Sequence, residues 1–478
     1  MVNKFISFLF LLFLIIQISC TKREAEQPIL SSGKIITSFT LSKTDNPFLS
    51  SDITGTITQD SVIVTLPYGT PLNNLIPTII IEGKTISPAN KTAQNFTNTV
   101  QYIVTAEDNS TKTYRVYVTA EQNSATLFIN SANGRPTGVG QVYALDPNNG
   151  TLKWKYTPSS SSFVSSIDFE NGILYTGISN KITAIDTVTK NIKWQYTTGG
   201  SLYSTPEVIN GTVYMNCDDR FMYAIDAVTG NLKWKYQQDF FSSGGNYSSP
   251  TVVNDVVYFG SLNGYIYAVN AITGSLKWKT FNTYAPGSGI QSSPTVVNGT
   301  VYIGDGSLNL LSLNADNGNI NWAYSTYGGS FSSPTVVNNT VYVGSSSGVL
   351  YALNAATGVR LWSYGTSVQI DASPIVSDGV VYVGHSRSNG SNFYAIDAIT
   401  GSLKWSYYNT DIFFSSPVIY NNVAYLGSYN TVVAINTANG TLKWKFNAVD
   451  PFEEFLASPC IVEKQGNIYV PGISGKKN

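Results

Sequence analysis

Apolar and polar positions alternate with period two along most of the chain after residue 34, a pattern that predicts half-buried strands rather than helices. Thr111–Thr119 reads TKTYRVYVT, with Tyr114, Val116 and Val118 on one face, and Val100, Tyr102, Val104 and Ala106 alternate in the same way. Turn residues separate such runs at Gln59-Asp60, Pro67-Tyr68-Gly69-Thr70-Pro71, Glu82-Gly83 and Asp108-Asn109-Ser110. About seven short strands across residues 34–121 predict an immunoglobulin-like β-sandwich. The segment contains no Cys, so packing alone must hold it.

From residue 126 to 472 the alternation is organised into eight copies of one unit. All eight Trp of the chain fall here: Trp154, Trp194, Trp234, Trp278, Trp322, Trp362, Trp405 and Trp444. An Asp or Asn precedes each by eight residues: Asp146, Asp186, Asp226, Asn270, Asn314, Asn354, Asp397 and Asn436. Gly follows that residue by four in every copy except one, where Lys190 stands, and Ala precedes it by two in every copy except one, where Ser312 stands. The fullest copy, Ser332 to Tyr364, divides into strands a (Pro334–Val337), b (Val341–Gly344), c (Leu350–Leu353) and d (Arg360–Tyr364), with the c–d hairpin turning at Asn354–Gly358. Gly supplies the positive φ that such a turn requires, and the Asp/Asn side chain can bond the turn backbone. In strand d of the first copy, Leu152, Trp154 and Tyr156 are expected on a packed face, with Lys153 and Lys155 on a wet one.

Four strands per ~43 residues, repeated, is the signature of a β-propeller. The first copy begins at Thr126 and lacks strand a, whereas the last segment, from Ser458, supplies only strands a and b. The two fragments complement each other and predict an eight-bladed ring closed by the C-terminal strand, with one spare strand b displaced or left at an edge. The fold class expected is therefore all-β, a sandwich followed by a propeller.

The motif A-x-[D/N]-x-x-T-G-x-x-x-W resembles the tryptophan-docking repeat of PQQ-type propellers. Those include quinoprotein alcohol dehydrogenases and the propeller lipoprotein of the outer-membrane β-barrel assembly machinery. The resemblance implies that each indole stacks across a blade boundary onto the small Ala, with atypical junctions at Ser312 and Lys190. Residues 34–121 resemble Ig-like modules of bacterial surface lipoproteins, which act as spacers or adaptors.

The N-terminus departs from the alternation. Lys4 precedes an apolar run of fourteen residues, Phe5 to Ile18, interrupted only by Ser7 and Gln17, which as a helix would rise only about 21 Å, too short to span a bilayer. The run reads as a secretory signal, and Ser19-Cys20 resembles a bacterial lipoprotein cleavage site, implying a signal peptide over 1–19, lipidation of Cys20 and a linker over 20–33. Residues 34–121 and 126–472 follow as the two domains. The expectation is a lipid-anchored monomer of the cell envelope, on the outer membrane, facing inward or outward.

Composition narrows the chemistry. Charged residues are 12% of the 478, and 28 Lys+Arg against 29 Asp+Glu leave a net charge of −1, which offers no basic excess for nucleic acid. One His (His385) and three Cys (Cys20, Cys217, Cys460) exclude a His-rich metal site, a disulfide framework and a c-type haem. PQQ dehydrogenases imply a catalytic Asp, a Ca²⁺-holding set and an adjacent-Cys disulfide; no adjacent pair exists here, and the candidate acids Asp218, Asp219, Asp305, Asp371 and Asp411 read as surface-loop carboxylates. Lys153, Lys155, Lys193, Lys233, Lys235, Lys277, Lys279, Lys404, Lys443 and Lys445 flank the Trps and read as edge protection, with an anionic partner as the alternative.

One ring is a binding candidate. Strand a opens with Ser/Thr-Pro in seven copies, and the resemblance implies that strand a lines a central channel. The residue three before each Pro then surrounds one mouth: Tyr203, Tyr247, Gln291, Phe331, Asp371, Phe414 and Leu456, with Val164 in the copy where Ile167 replaces Pro. Aromatic rings with a few polar groups suit sugars or a peptide, or else plug the hole. The function expected is a non-catalytic, protein-binding or assembly scaffold without a cofactor. A surface glycan-binding protein and a quinoprotein dehydrogenase carrying PQQ and Ca²⁺ are the alternatives.

Overall fold

The computed structural model describes residues 30–49, 51–67, 70–120, 125–133, 139–159, 165–240, 246–284, 286, 288–307, 309–329, 332–366, 368–385, 391–409, 415–463 and 467–470. The chain divides into two compact units, 1–122 and 123–478. Every regular element among the described residues is a β-strand, and no helix among them is long and apolar enough to cross a membrane. The signal sequence and Cys20 lie outside the described residues.

The first unit is a two-sheet sandwich. One sheet holds Ile53–Thr54, Ile35–Leu41 and Thr78–Glu82; the other holds Thr56–Ile57, Ser61–Leu66, Thr111–Ala120, Val100–Thr105 and Thr85–Ser87. Its one parallel pairing joins Ser61–Leu66 to Thr111–Ala120. Alternate residues of both sheets, among them Phe39, Val64, Tyr102, Tyr114 and Val116, form the core, where Phe39 meets Phe96 and Tyr102 edge to face.

The second unit contains seven four-stranded sheets and one five-stranded sheet, each antiparallel in the order a-b-c-d. In the sixth copy the strands are Thr335–Val337, Thr340–Gly344, Val349–Asn354 and Arg360–Gly365. The five-stranded sheet joins both ends of the unit: Leu152–Tyr156, Val142–Leu145, Thr126–Asn130, then Cys460–Val462 as strand a. The spare copy of strand b, Ile468–Tyr469, adds to the inner edge of that strand a. Closure is reinforced where Glu453–Glu454 pairs with Ala132–Asn133. The buried Glu453 carboxylate accepts bonds from Ser131 Oγ at 2.9 Å and Tyr143 Oη at 2.6 Å.

The blade boundaries are built on one carbonyl. Trp194, Trp234, Trp278, Trp322, Trp362, Trp405 and Trp444 each donate the indole N–H, at 2.8–3.0 Å, to the residue after the Asp/Asn of the next blade. The acceptors are Ala227, Ala271, Ala315, Ala355, Ala398, Thr437 and Pro147. A strand b tyrosine (175, 214, 258, 302, 342, 382 or 425) donates its hydroxyl to the same oxygen at 3.0–3.4 Å. One carbonyl has two lone pairs, so both donors can be satisfied.

The ring lands on the Gly of the next blade's turn rather than on Ala. A Cβ placed at Gly150, Gly230, Gly274, Gly318, Gly358, Gly401 or Gly440 would lie 2.5–2.8 Å from an indole carbon. The Ala is instead the cross-strand partner of its own blade's Trp, as Ala352 is of Trp362. Leu152 also departs from expectation, standing exposed. A bulge between Ala144 and Leu145 pairs Leu145 with Leu152 and leaves Lys153 over, which turns Leu152 off the Trp face.

Of the two atypical junctions, Ser312 changes little, because Trp322 still bonds Ala355 at 3.0 Å. The boundary between the first two blades is different. Lys190 takes the Gly position with φ of 62°, Phe128 takes the Tyr position, and Trp154 makes no carbonyl bond among the described residues. Apolar packing holds this boundary instead, through Phe128 stacked on Phe169 at 6.2 Å with Ile167, Leu174 and Ile185.

The Ser-Ser-Pro pattern also resolves. The first hydroxyl receives the N–H at the end of its own strand b, as Ser248 does from Gly260 at 2.8 Å. The second accepts from the preceding blade, giving a chain of seven bonds at 2.9–3.0 Å that runs from Thr205 through Ser249, Ser293, Ser333, Ser373, Ser416 and Ser458 to Ser166 and, among the described residues, is open between the second and third blades.

Gly230→Ala is expected to destabilise the unit by about 2–4 kcal/mol, combining a Cβ driven into Trp194 with a left-handed backbone. Lys190→Gly should raise the apparent melting temperature by about 2 °C by relieving that backbone. Thermal unfolding of the two variants beside wild type checks both signs.

Candidate functional site

Strand direction gives the repeat unit two unlike faces. The a–b and c–d turns share one face with the docked indoles. The d–a and b–c loops share the other, with the residues expected around a channel mouth. On the loop face, Tyr203 and Tyr247 of neighbouring blades touch with ring centroids 5.1 Å apart, and Tyr247 is 48% exposed. Burial, Tyr203 and Asp218 together raise the Tyr247 hydroxyl above its ordinary range. Asp218 is anchored there by accepting the Asn246 N–H at 2.5 Å. Gln291, Asp371 and Leu456 stand half-buried on other blades, and Asp371 accepts from Gln369 at 2.7 Å. Of the predicted mouth ring, the structure therefore brings Tyr203 and Tyr247 together. Val164, Phe331 and Phe414 lie outside the described residues.

The loop acids are engaged in shaping loops. Asp305, fully buried, accepts from the Ser307 and Asn309 N–H groups and from the Asn282 and Asn309 amides, at 2.8–3.0 Å. Asp219 accepts from the Gly199 and Phe221 N–H groups and the Tyr223 hydroxyl. Asp411 lies outside the described residues. No group of three or more His, Cys, Asp or Glu among the described residues converges as a metal would require. These donors do not fit a Ca²⁺-bound quinone: of the described acids, Asp218 and Asp219 share the third blade but bond different loops, at Asn246 and Gly199, and Asp305 and Asp371 stand on other blades.

The remaining candidates are structural too. Cys217 and Cys460 are buried free thiols, and burial pushes the Cys217 thiol up to about 12. His385 is buried at the end of strand b of the seventh blade, where Nε2 accepts the Asn392 N–H at 3.0 Å and burial lowers its pKa. Several Trp-flanking lysines are drawn into their own blades, whereas Lys279 pairs with Asp239 of the preceding one. Lys153 bonds the Ala125 carbonyl at 2.7 Å, Lys233 reaches Asp226 at 3.3 Å, and Lys235 lies over the Phe221 ring at 4.3 Å. On the turn face a groove of about 370 Å³ between the fifth and sixth blades is lined by Val297, Tyr302, Val336, Asn298, Asn338 and Ala355, with no titrating group beyond the Tyr302 phenol.

Apart from Tyr247, the repeat pattern missed the set of exposed rings. In the second unit Phe240, Tyr247, Tyr284, Tyr327, Tyr408, Tyr429 and Phe452 are exposed, and each lies in a loop of the loop face or at the end of a strand d entering one. Exposed aliphatics gather at the opposite face, where Val188, Val228, Ile272 and Ile399 occupy c–d turns. Loop length was the available signal: the Trp-to-Trp intervals 234–278 and 278–322 exceed those of the preceding blades by four residues, and the extra chain is in these loops.

Sheets of four antiparallel strands, closed by a composite sheet and docked through Trp, define a repeat β-propeller. Residues 138–333 and 326–470 match the family described as outer membrane protein assembly factor BamB, and the chain belongs to that family. Residues 36–118 match a second family, described as SGBP, N-terminal. No curated protein matches in sequence. Among solved structures, BamB from Moraxella catarrhalis is similar at 19% identity and a TM-score of 0.52, covering 63% of this chain and 88% of that one. The quinohemoprotein alcohol dehydrogenase from Comamonas testosteroni is similar at 16% identity and 0.55, covering 64% and 69%. A europium-containing methanol dehydrogenase is similar at 15% and 0.57, covering 68% and 85%. Identities this low establish the fold alone.

His385 yields a pH prediction. Its folded pKa lies below the ordinary value near 6.5, so below that pH the unfolded chain binds the extra proton and stability falls as pH drops. The melting temperature should decline from pH 7 to pH 5, at most about 1.4 kcal/mol per pH unit for one proton. That decline should flatten in His385→Gln; identical slopes would assign it to other groups.

Proposed function

We propose that this chain is a non-catalytic binding protein of the cell envelope whose propeller holds the loop face rigid for a partner. The segregation of exposed aromatics onto that face carries the reading. A scaffold fixed by repeated docking bonds can display variable loops at little cost in order, and loops are where recognition resides. Membership in the BamB family supports an envelope location and an assembly role toward another protein. The signal sequence and Cys20 support anchoring by lipid. The absence of convergent acids among the described residues favours binding over catalysis.

A second reading, a glycan ligand, is favoured by the kind of exposed residue. The large apolar side chains offered by the loop face are mostly rings, which suit stacking on sugars; among the described residues of the second unit Val449 is the exposed aliphatic there, and the others lie toward the turn face.

Immobilised full chain should retain a specific partner from envelope extracts that a Tyr203→Ala/Tyr247→Ala/Tyr429→Ala/Phe452→Ala variant fails to retain. Equal retention by both would remove the loop face from the function. Titration with PQQ and Ca²⁺ is expected to give neither a spectral change nor a thermal shift; cofactor uptake would overturn the non-catalytic reading. Separately, Cys20→Ser should move the protein from the membrane to the soluble fraction, and an unchanged distribution would rule out the lipid anchor.

A further inference from the structure

We propose that Phe240, Tyr284 and Tyr327 form a track for a linear, uncharged polysaccharide that crosses three neighbouring blades, an inference that rests on the glycan reading of the loop face. The three side chains occupy one place in the repeat. Strand d ends at Gln237, Phe281 and Ser325 in the third, fourth and fifth blades, and each end is followed by a buried polar residue: Gln238, Asn282 and Thr326. The aromatic comes one or two residues later and stands 79%, 57% and 75% exposed, respectively.

The buried residue fixes the chain so that the ring is displayed on ordered backbone. Gln238 donates its N–H to the Arg220 carbonyl at 2.8 Å and its amide to Asn216 at 2.6 Å. Asn282 donates its N–H to the Gly264 carbonyl and its amide to Asp305, both at 2.9 Å, and its own side-chain oxygen accepts the Tyr284 N–H at 3.1 Å. Thr326 bonds Gly328 through its hydroxyl at 2.7 Å and accepts the Tyr351 hydroxyl on its carbonyl at 3.2 Å. Phe240 is held further. Asp239 before it is tied to the next blade through the Tyr267 hydroxyl, Asn263 and Lys279, and the Arg220 guanidinium lies over the ring at 5.1 Å. Display without ordering cost is what a binding platform requires.

Tyr327 gives the strongest sign that display is the purpose. The second blade reads Thr198-Gly199-Gly200 and the fifth Thr326-Tyr327-Gly328, in loops of equal length to Pro206 and Pro334, and both Thr hydroxyls bond the carbonyl two residues on, so Tyr327 stands where the second blade has Gly199. This aromatic has φ of 56°, a backbone state that bulky residues rarely adopt. At 75% exposure it fills no core position that would offset the strain.

The ligand class follows from charge and span. Asp239 and Lys279 pair with each other and Arg220 is spent on Phe240, so the track presents rings without unpaired charge beside Phe240. Neighbouring sheets pack about 10 Å apart, so three rings on three blades cover at least about 20 Å. A mono- or disaccharide reaches one ring; a polymer reaches all three.

Affinity electrophoresis of the full chain tests this, in gels containing mixed-linkage β-glucan, xyloglucan, galactomannan, amylopectin, arabinoxylan or laminarin, each separately. At least one should retard the wild type. Phe240→Ala, Tyr284→Ala and Tyr327→Gly should each weaken retention about five- to tenfold, and the triple variant should abolish it. Gly accepts the positive φ, so Tyr327→Gly leaves the loop intact. Oligosaccharides cut from the retained polymer should bind more tightly with length until the three rings are covered. Retardation that survives the triple variant but is lost in Tyr203→Ala/Tyr247→Ala would overturn the track and keep the glycan reading. Retardation by none of the six, or only by an anionic control such as polygalacturonate, would overturn both the track and the neutral-glycan reading.

Discussion

A single backbone carbonyl, presented by each c–d turn to the blade before it, is the constraint from which most of the repeat follows. It receives an indole N–H from strand d and a phenol O–H from strand b, for example from Trp278 and Tyr258 onto Ala315. Each bond contributes only about 1 kcal/mol net, but both donors are largely buried, and leaving either unmet would cost more than the bond supplies. The turn must therefore hold its carbonyl in place, which the Asp/Asn achieves by accepting turn N–H groups, as Asp226 Oδ1 does from Val228 and Thr229. It must also leave the indole room, which only Gly does. Closing the ring uses the same bond, from Trp444 and Tyr425 to Pro147, so the junction of the chain's two ends is chemically like the others.

Legibility tracked repetition. Trp, Asx and Gly were readable because eight copies hold them in phase, and the complementary first and last fragments foretold a composite sheet. The strand b tyrosine obeys the same period yet passes unnoticed among 31 tyrosines, because its role depends on reaching a carbonyl more than fifty residues away in the chain. Leu152 was misjudged because a bulge inverts strict alternation, and nothing in LKWKY marks which residue is extra. The indole was placed on Ala rather than Gly because both are small and both keep phase; only the boundary geometry separates them.

The candidate site was legible in part. Counting three residues back from Pro picked out Tyr203 and Tyr247, whose rings touch, since each holds the same place before strand a of its blade. The carboxylates read as surface-loop groups are in loops, but Asp305 is buried rather than at the surface: Asp219 and Asp305 sit where strand b turns into strand c, and each satisfies N–H groups that the turn leaves open. Burial without convergence makes such acids part of the frame. The outer rings escaped notice because aligning repeats discards what is not shared: Phe240 and Tyr284 occupy loops four residues longer than the second blade's, and Tyr327 stands where that blade has Gly199.

That difference in tolerance between the faces makes the loop face informative. On the turn face the docking bond penalises change: the one turn lacking Gly also lacks its indole bond, and needs Phe128 and Phe169 in compensation. On the loop face an added residue disturbs no blade boundary, so stability neither demands nor forbids it. Where stability is indifferent, an exposed ring carried on a left-handed backbone, as at Tyr327, is not explained by folding. The third to fifth blades concentrate such departures on otherwise regular sheets, with longer loops after the third and fourth, buried polar anchors and rings turned outward. A frame that keeps its sheets uniform while varying this arc has separated the residues that hold the protein together from those that meet its ligand.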